Sequence, residues 1–226
     1  MSLRNRRGIC VDTGKEGVGP ALLAHFCYDA HMHTLARLES FMALLHAAQR
    51  VSRIARLPEE QAMRNTAEHT FELALLAWYV VATEGLDLDL EKVLRYALAH
   101  DIIEGYSGDT PIFDTEATKT KAAREAAALA RIEAEFPEFT DLTESIHEYE
   151  RRDTKESQFV YALDKLIDPL TASMETTQSI WKDMGMSYEQ LRTYKDGKIA
   201  LSETVEPYWK ELCAKIESRK DFFFNE

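Results

Sequence analysis

The chain is poor in cysteine. Cys10, Cys27 and Cys213 are odd in number among 226 residues, and no Cys-x-x-Cys occurs. That excludes a disulfide framework and points to free thiols in a reducing, cytoplasmic setting. Long apolar runs are also missing. The longest, Leu73 to Ala82, has ten residues, against roughly 18 for a membrane span. Arg4, Arg6 and Arg7 have no apolar stretch behind them, so they do not open a secretory signal. Positive charge is scarce: 27 Lys and Arg face 39 Asp and Glu, a formal charge of −12. An extended nucleic-acid surface needs clustered cations and is disfavoured. A small phosphorylated substrate is not, because a metal ion with one or two arginines supplies enough local positive charge. The glycine-rich stretch Thr13 to Pro20 lacks the order of a phosphate loop. No Asn-Gly turn joins alternating strands, and no Gly-x-Ser-x-Gly elbow is present. There is no Pro-rich linker and no internal repeat.

What remains reads as helix. Leu38, Phe41, Met42, Leu45 and Ala48 recur at helical spacing and predict a helix from about Leu35 to Ala55. Asn65 and Glu68 have the separation of a capping box, opening a helix that runs to Thr83 and ends at Gly85. The Asp87-Leu88-Asp89 turn leads into a helix through Val93, Leu94, Ala97 and Leu98 to about Glu104. Residues 116–135 have strong helix composition and stop at Pro137; another helix covers 140–151. Lys155 to Lys182 is apolar on one face, with Pro169 expected to kink or end its first part. A last helix over 200–218 carries Val205, Trp209, Leu212 and Ile216. The expected fold is an all-α, single-domain helical bundle over residues 35–220, behind a partly flexible N-terminal extension, 1–34.

Four residues of metal-ligand type stand in order along this framework: His69, the adjacent pair His100-Asp101, and Asp164. Two imidazoles with two carboxylates suit one divalent first-row ion, Mn, Co, Fe, Ni or Zn, and are too nitrogen-rich for a Ca or Mg cage. His100 and Asp101 close an apolar helix, where an unpaired carboxylate is costly, so a cation is the natural partner. Asp164 is a charge in the apolar stretch Phe159 to Leu166, with Asp168 one turn on as the alternative. Asp29, His31 and His33 also cluster, but their spacing suits a polar helix start better than a ligand set.

The run Ala99-His100-Asp101-Ile102-Ile103-Glu104, followed by Gly108-Asp109-Thr110-Pro111, resembles the HD-domain phosphohydrolase superfamily, and within it the 5′-deoxynucleotidases. The resemblance spans about residues 35–170. It implies a metal-dependent phosphomonoester hydrolase that cleaves (deoxy)nucleoside 5′-monophosphates to nucleoside and phosphate. It implies that Glu104 orders the attacking water or handles its proton, and that Asp109 reaches the substrate or its leaving oxygen. Arg50, Arg53 and Arg64 resemble the family's phosphate-binding segments, with Arg56 a further candidate; the family's Trp after the first segment is absent. A homodimer is also implied. Two other readings stay open: an HD hydrolase of another phosphate substrate (a cyclic nucleotide, a guanosine tetraphosphate-type signal or a nucleoside triphosphate), and a non-catalytic, metal-binding regulatory protein.

Overall fold

The computed structural model describes residues 34–110, 115–177 and 179–224, all within one compact unit, His33–Glu226. The extension and the Asp29, His31 and His33 cluster therefore lie outside the described residues. In chain order the elements are α1 (Leu35–Gln49), β1 (Ser52–Arg56), β2 (Met63–Asn65), α2 (Thr66–Glu84), α3 (Leu90–Ala99), α4 (Glu104–Ser107), α5 (Thr115–Glu135), α6 (Thr140–Arg151), α7 (Lys155–Ala172), α8 (Ile180–Asp183), α9 (Tyr188–Ile199) and α10 (Glu206–Glu217), followed by a 3-10 turn, Lys220–Phe222. The fold is all-α, with one small antiparallel ribbon.

Local chemistry sets the boundaries that matter. The Asn65 side chain accepts from Glu68 N, and Asn65 N donates to Glu68 Oε2. This capping box, a device worth about 1 kcal/mol, starts α2 one turn ahead of His69. Gly85 ends α2 in the left-handed region, φ 62°. Asp89 caps α3 by accepting from Glu91 N and Lys92 N. Thr154 and Ser157 form a capping box at the start of α7.

Two apolar clusters hold the bundle. The larger packs Leu73 and Ala77 of α2, Val93 and Tyr96 of α3, and Phe159, Leu163 and Ile167 of α7 against α9 and α10 through Leu191, Ile199, Trp209 and Ile216. The smaller joins Leu44 and Ala48 of α1 to Ile102, Ile103, Ile132 and Ile146. Gly105 of α4 lies against α1, where an added Cβ would stand 3.2 Å from Ala48 N and 3.3 Å from the Leu44 carbonyl. Its lack of a side chain serves close packing. Left-handed backbone freedom near the site belongs to Gly108, at φ 72°.

Three expectations are corrected. The first helix stops at Gln49, and Arg53 to Ala55 lie in β1, paired with β2 from Ser52↔Asn65 to Arg56↔Met63. Pro169 neither begins nor ends a separate piece: α7 continues through it to Ala172 and stops there, well short of Lys182. The predicted helix over 200–218 begins only at Glu206, and α9 precedes it as a separate helix.

The ribbon is anchored to the segment after α7. Arg56 Nε donates to Glu175 Oε1 at 2.9 Å, and its Nη2 reaches Asp183 Oδ2 at 2.9 Å. Glu175 is fully buried and also accepts from Ile180 N. At the ribbon's tip the Glu59 carboxylate accepts from the hydroxyls of Thr176 and Thr177. Removing one partner of a buried ion pair costs about 3 to 5 kcal/mol because the other charge is stranded. Glu175→Ala is expected to lose stability in that range in denaturant unfolding, whereas a pair contributing little would leave the midpoint within error of the parent.

Candidate metal centre and catalytic cleft

α2, α3 with its following turn, and α7 converge on four side chains. His69, in the first turn of α2, is fully buried; His100, at the C-terminus of α3, and Asp164, in the middle of α7, are each 3% exposed. His69 Nε2 lies 3.0 Å from Asp164 Oδ1 and 3.9 Å from Asp101 Oδ2. His100 Nε2 lies 3.0 Å from Asp101 Oδ2 and 3.9 Å from Asp164 Oδ1. Each imidazole nitrogen thus faces both carboxylates. His100 Nδ1 donates to the Ala97 carbonyl at 2.8 Å, which leaves Nε2 as the lone-pair nitrogen directed into the cluster.

These groups fit a divalent ion. Buried His100 Nε2 has no hydrogen-bond partner, although Asp101 Oδ2 is only 3.0 Å away. The pair is close but not aligned for a hydrogen bond, as two ligands of one ion would be. Donors each about 2.1 Å from a shared ion stand roughly 3.0 to 3.5 Å apart at angles of about 90 to 110°. The donor atoms of His69, His100 and Asp101 all lie within 4.8 Å of one another, and Asp164 Oδ1 approaches both imidazoles. The second Asp164 oxygen is occupied by Lys165 Nζ, at 2.5 Å, and by the Tyr149 hydroxyl, at 3.3 Å.

Charge is concentrated here. Burial opposes ionisation of Asp164, but Lys165 and the two imidazoles outweigh it and hold the carboxyl well below its usual range. Burial likewise opposes an imidazolium at His100; Asp101 and then Asp164 reverse the sign and raise its pKa. The same logic lowers Asp101, with His100 and Arg53 overcoming its burial. Glu104 behaves differently. Burial and then the Asp101 charge push its carboxyl up to about 8, only partly offset by Arg53. Its Oε2 accepts from the Thr66 hydroxyl at 2.7 Å.

The arginines separate. Arg53 Nη1 donates to Asp101 Oδ2 at 2.6 Å and lies 3.6 Å from Glu104 Oε2, while its Nε is buried without a partner. Arg64 is committed to Glu72 and to Asp168 Oδ1, the latter at 2.6 Å. Asp168 in turn lies 3.8 Å from His69 Nδ1, so it backs the His69 ring and is not one of the four converging side chains. Arg50 is exposed at the end of α1 and does not line the cleft. Arg56 belongs to the ribbon anchor. Asp109 lines the cleft beside Glu104, on a stretch that Arg124 holds through the Ser107 carbonyl and the Thr110 hydroxyl. The cleft has a volume of about 370 Å³, within the usual range for a small-molecule site. Sequence reasoning missed Arg152, Lys195 and Lys198, which also line it. The Ser187-x-x-Gln190 capping box that starts α9 was the available signal for the two lysines.

This geometry matches known proteins. A family model described as an HD domain matches residues 45–206. The chain belongs to the HD-domain family of metal-dependent phosphohydrolases. Among curated relatives, 5'-deoxynucleotidase HDDC2 of Mus musculus is 28% identical over 199 residues, 83% of this chain and 93% of that protein. The human protein of that name is 30% identical over 144 residues, 62% of this chain and 69% of that one. For the Xenopus laevis protein of that name the match is 29% over 131 residues and spans 64% of its length. A solved structure of a predicted metal-dependent phosphohydrolase from Magnetospirillum magnetotacticum MS-1 superposes with a TM-score of 0.72 at 26% identity, covering 84% of this chain and 96% of that one. An HD-domain phosphohydrolase from Listeria innocua, 20% identical with a TM-score of 0.55 over 82% of this chain and 91% of that one, shares the fold. The family implies a bound divalent metal.

The raised Glu104 carboxyl has a measurable consequence in metal-free protein. Its folded pKa lies above the ordinary 4.5, so the folded state holds the proton more tightly than the unfolded chain. The stability from protonated Glu104 is present below about pH 4.5 and is lost as pH rises to about 8. Across that window, metal-free wild type is expected to lose stability relative to Glu104→Gln. Parallel pH curves for the two would contradict this.

Proposed function

We propose that the protein is a 5′-deoxynucleotidase, hydrolysing deoxynucleoside 5′-monophosphates to nucleoside and inorganic phosphate with one divalent ion held by His69, His100, Asp101 and Asp164. The observation that carries this reading is the placement of Arg53, a half-buried side chain whose buried Nε is unpartnered, between Asp101 and Glu104. The curated relatives named as 5'-deoxynucleotidases support the substrate class.

The bound ion, Mn, Co, Fe, Ni or Zn by its donor set, would polarise the phosphoryl group and activate water. The chain's own groups do the rest. Arg53 donates to phosphoryl oxygens from a fixed, desolvated position, where charge-assisted hydrogen bonds are strong. Glu104, steered by the Thr66 hydroxyl, takes the proton of the attacking water. Asp109, lining the cleft, relays a proton from solvent water to the departing 5′ oxygen. Arg64 acts one step back, fixing Asp168 behind His69. Arg50 has no place in this arrangement.

Among the described residues no helix is long and apolar enough to cross a membrane; with the three widely spaced cysteines this supports a cytoplasmic enzyme. A homodimer is the assembly proposed. An apolar groove of about 530 Å³ is lined by Phe41, Leu45, Phe71, Leu75, Leu98 and Leu142. Phe71 is 63% exposed and Leu98 57%, apolar side chains that a second copy of the chain would cover. Phe71→Asp is expected to shift the mass measured by light scattering from dimer to monomer; an unchanged mass would remove this face from the interface.

The functional test is phosphate release from a panel of deoxynucleoside and ribonucleoside monophosphates, cyclic nucleotides and triphosphates, with added Mn or Co. Deoxynucleoside monophosphates are expected to be the preferred substrates. Glu104→Ala is expected to lower turnover by about 10²- to 10⁴-fold while retaining metal. Equal turnover by that variant would remove Glu104 from the chemistry, and turnover of a cyclic nucleotide or triphosphate alone would overturn the substrate assignment.

A further inference from the structure

The buried face of α9 carries a charge, Lys195, that the scheme above leaves unused. Lys195 is 6% exposed, its side chain lining the catalytic cleft where it meets a small apolar recess bounded by Ile54, Met184 and Leu191. Among the described residues no carboxylate pairs with it. The two that bear on it most are Asp168 and Asp164, and both are taken. Asp168 accepts from Arg64 and faces Arg53; the free oxygen of Asp164 accepts from Lys165. Its ammonium lies near the Tyr194 ring, with the centroid 5.7 Å away.

A buried ammonium without a counter-ion is costly. Leucine or methionine would fill the same space beside the recess at no such cost, so packing does not account for a lysine here. The cost is recovered when an anion enters the cleft. Lys198, one helical turn on, lines the same cleft with its ammonium 3.3 Å from the Tyr194 ring centroid, adding positive potential on that wall.

We propose that Lys195 is a phosphate-binding residue of this site, its ammonium holding the substrate's phosphoryl oxygens from α9 as Arg53 does from β1. This rests on the reading of the cleft as a phosphomonoesterase site. Burial supports it from another side: desolvation lowers the Lys195 pKa to about 8, as befits a group whose counter-charge is absent until a ligand arrives.

The test uses inorganic phosphate, the reaction's anionic product, titrated calorimetrically into manganese-loaded wild type, Lys195→Met and Lys195→Arg, with metal content and melting temperature measured on each. Lys195→Met is expected to weaken phosphate binding at least ten-fold, keep its metal and melt no lower than wild type. Lys195→Arg is expected to recover most of the affinity. In turnover, Lys195→Met is expected to raise KM for a deoxynucleoside monophosphate more than it lowers kcat. Unchanged phosphate affinity in Lys195→Met would overturn the inference. So would a loss that comes with loss of metal or a lower melting temperature, because the residue would then be structural. Should phosphate bind in a Lys195-dependent way while no deoxynucleotide is turned over, the phosphate site stands and the deoxynucleotidase assignment falls.

Discussion

Two imidazole nitrogens and two carboxylates meeting out of water is the constraint on which the rest of this structure depends. His69, His100 and Asp164 are buried almost completely, and the Nε2 atoms of both histidines point at the same two carboxylates. Such a cluster is unfavourable as a set of neutral hydrogen bonds, since one Nε2 lies close to an acceptor without pairing to it. A shared cation would turn the same geometry into coordination. The surrounding bonds serve that end: Ala97 fixes the His100 tautomer, Asp168 backs the His69 ring, and Lys165 with Tyr149 takes the Asp164 oxygen that faces away from the imidazoles.

Around this centre, charges are placed by elements that do not themselves contribute metal-type ligands. The ribbon brings Arg53 onto Asp101, and it is held there by Arg56 and Glu59 reaching the segment beyond α7. Gly105 lets α4 approach α1 closely, which sets Glu104 beside Thr66. A carboxyl raised to about 8 by burial and by the neighbouring Asp101 charge is an arrangement often found at catalytic sites, where neighbouring acids are driven apart in pKa.

Much of this was legible in the sequence because it is local. Asn65 with Glu68, Gly85 at the helix end, and the alanine-rich 116–135 stretch carry their own signals, and the His100-Asp101 pair with Glu104 and Gly-Asp-Thr-Pro carried the site. What was not legible is non-local. Ser52 to Arg56 contains good helix formers, and only pairing with Met63–Asn65 makes it a strand. Arg50 and Arg53 look alike in sequence; the turn out of α1 leaves one exposed and turns the other into the cleft. Asp168 resembles Asp164 one turn later, and only the rotation of α7 sends it toward Arg64. Lys195 was hidden because a lysine in a polar helix reads as solvated until packing shows it buried.

The most direct measurement is elemental analysis of protein purified without chelator, wild type beside His100→Ala and Asp164→Ala, with folding checked by circular dichroism. The account predicts close to one divalent metal per wild-type chain and loss of most of it in both folded variants. Wild-type metal content in either variant would show that these side chains do not share an ion, and the account of the centre would fail.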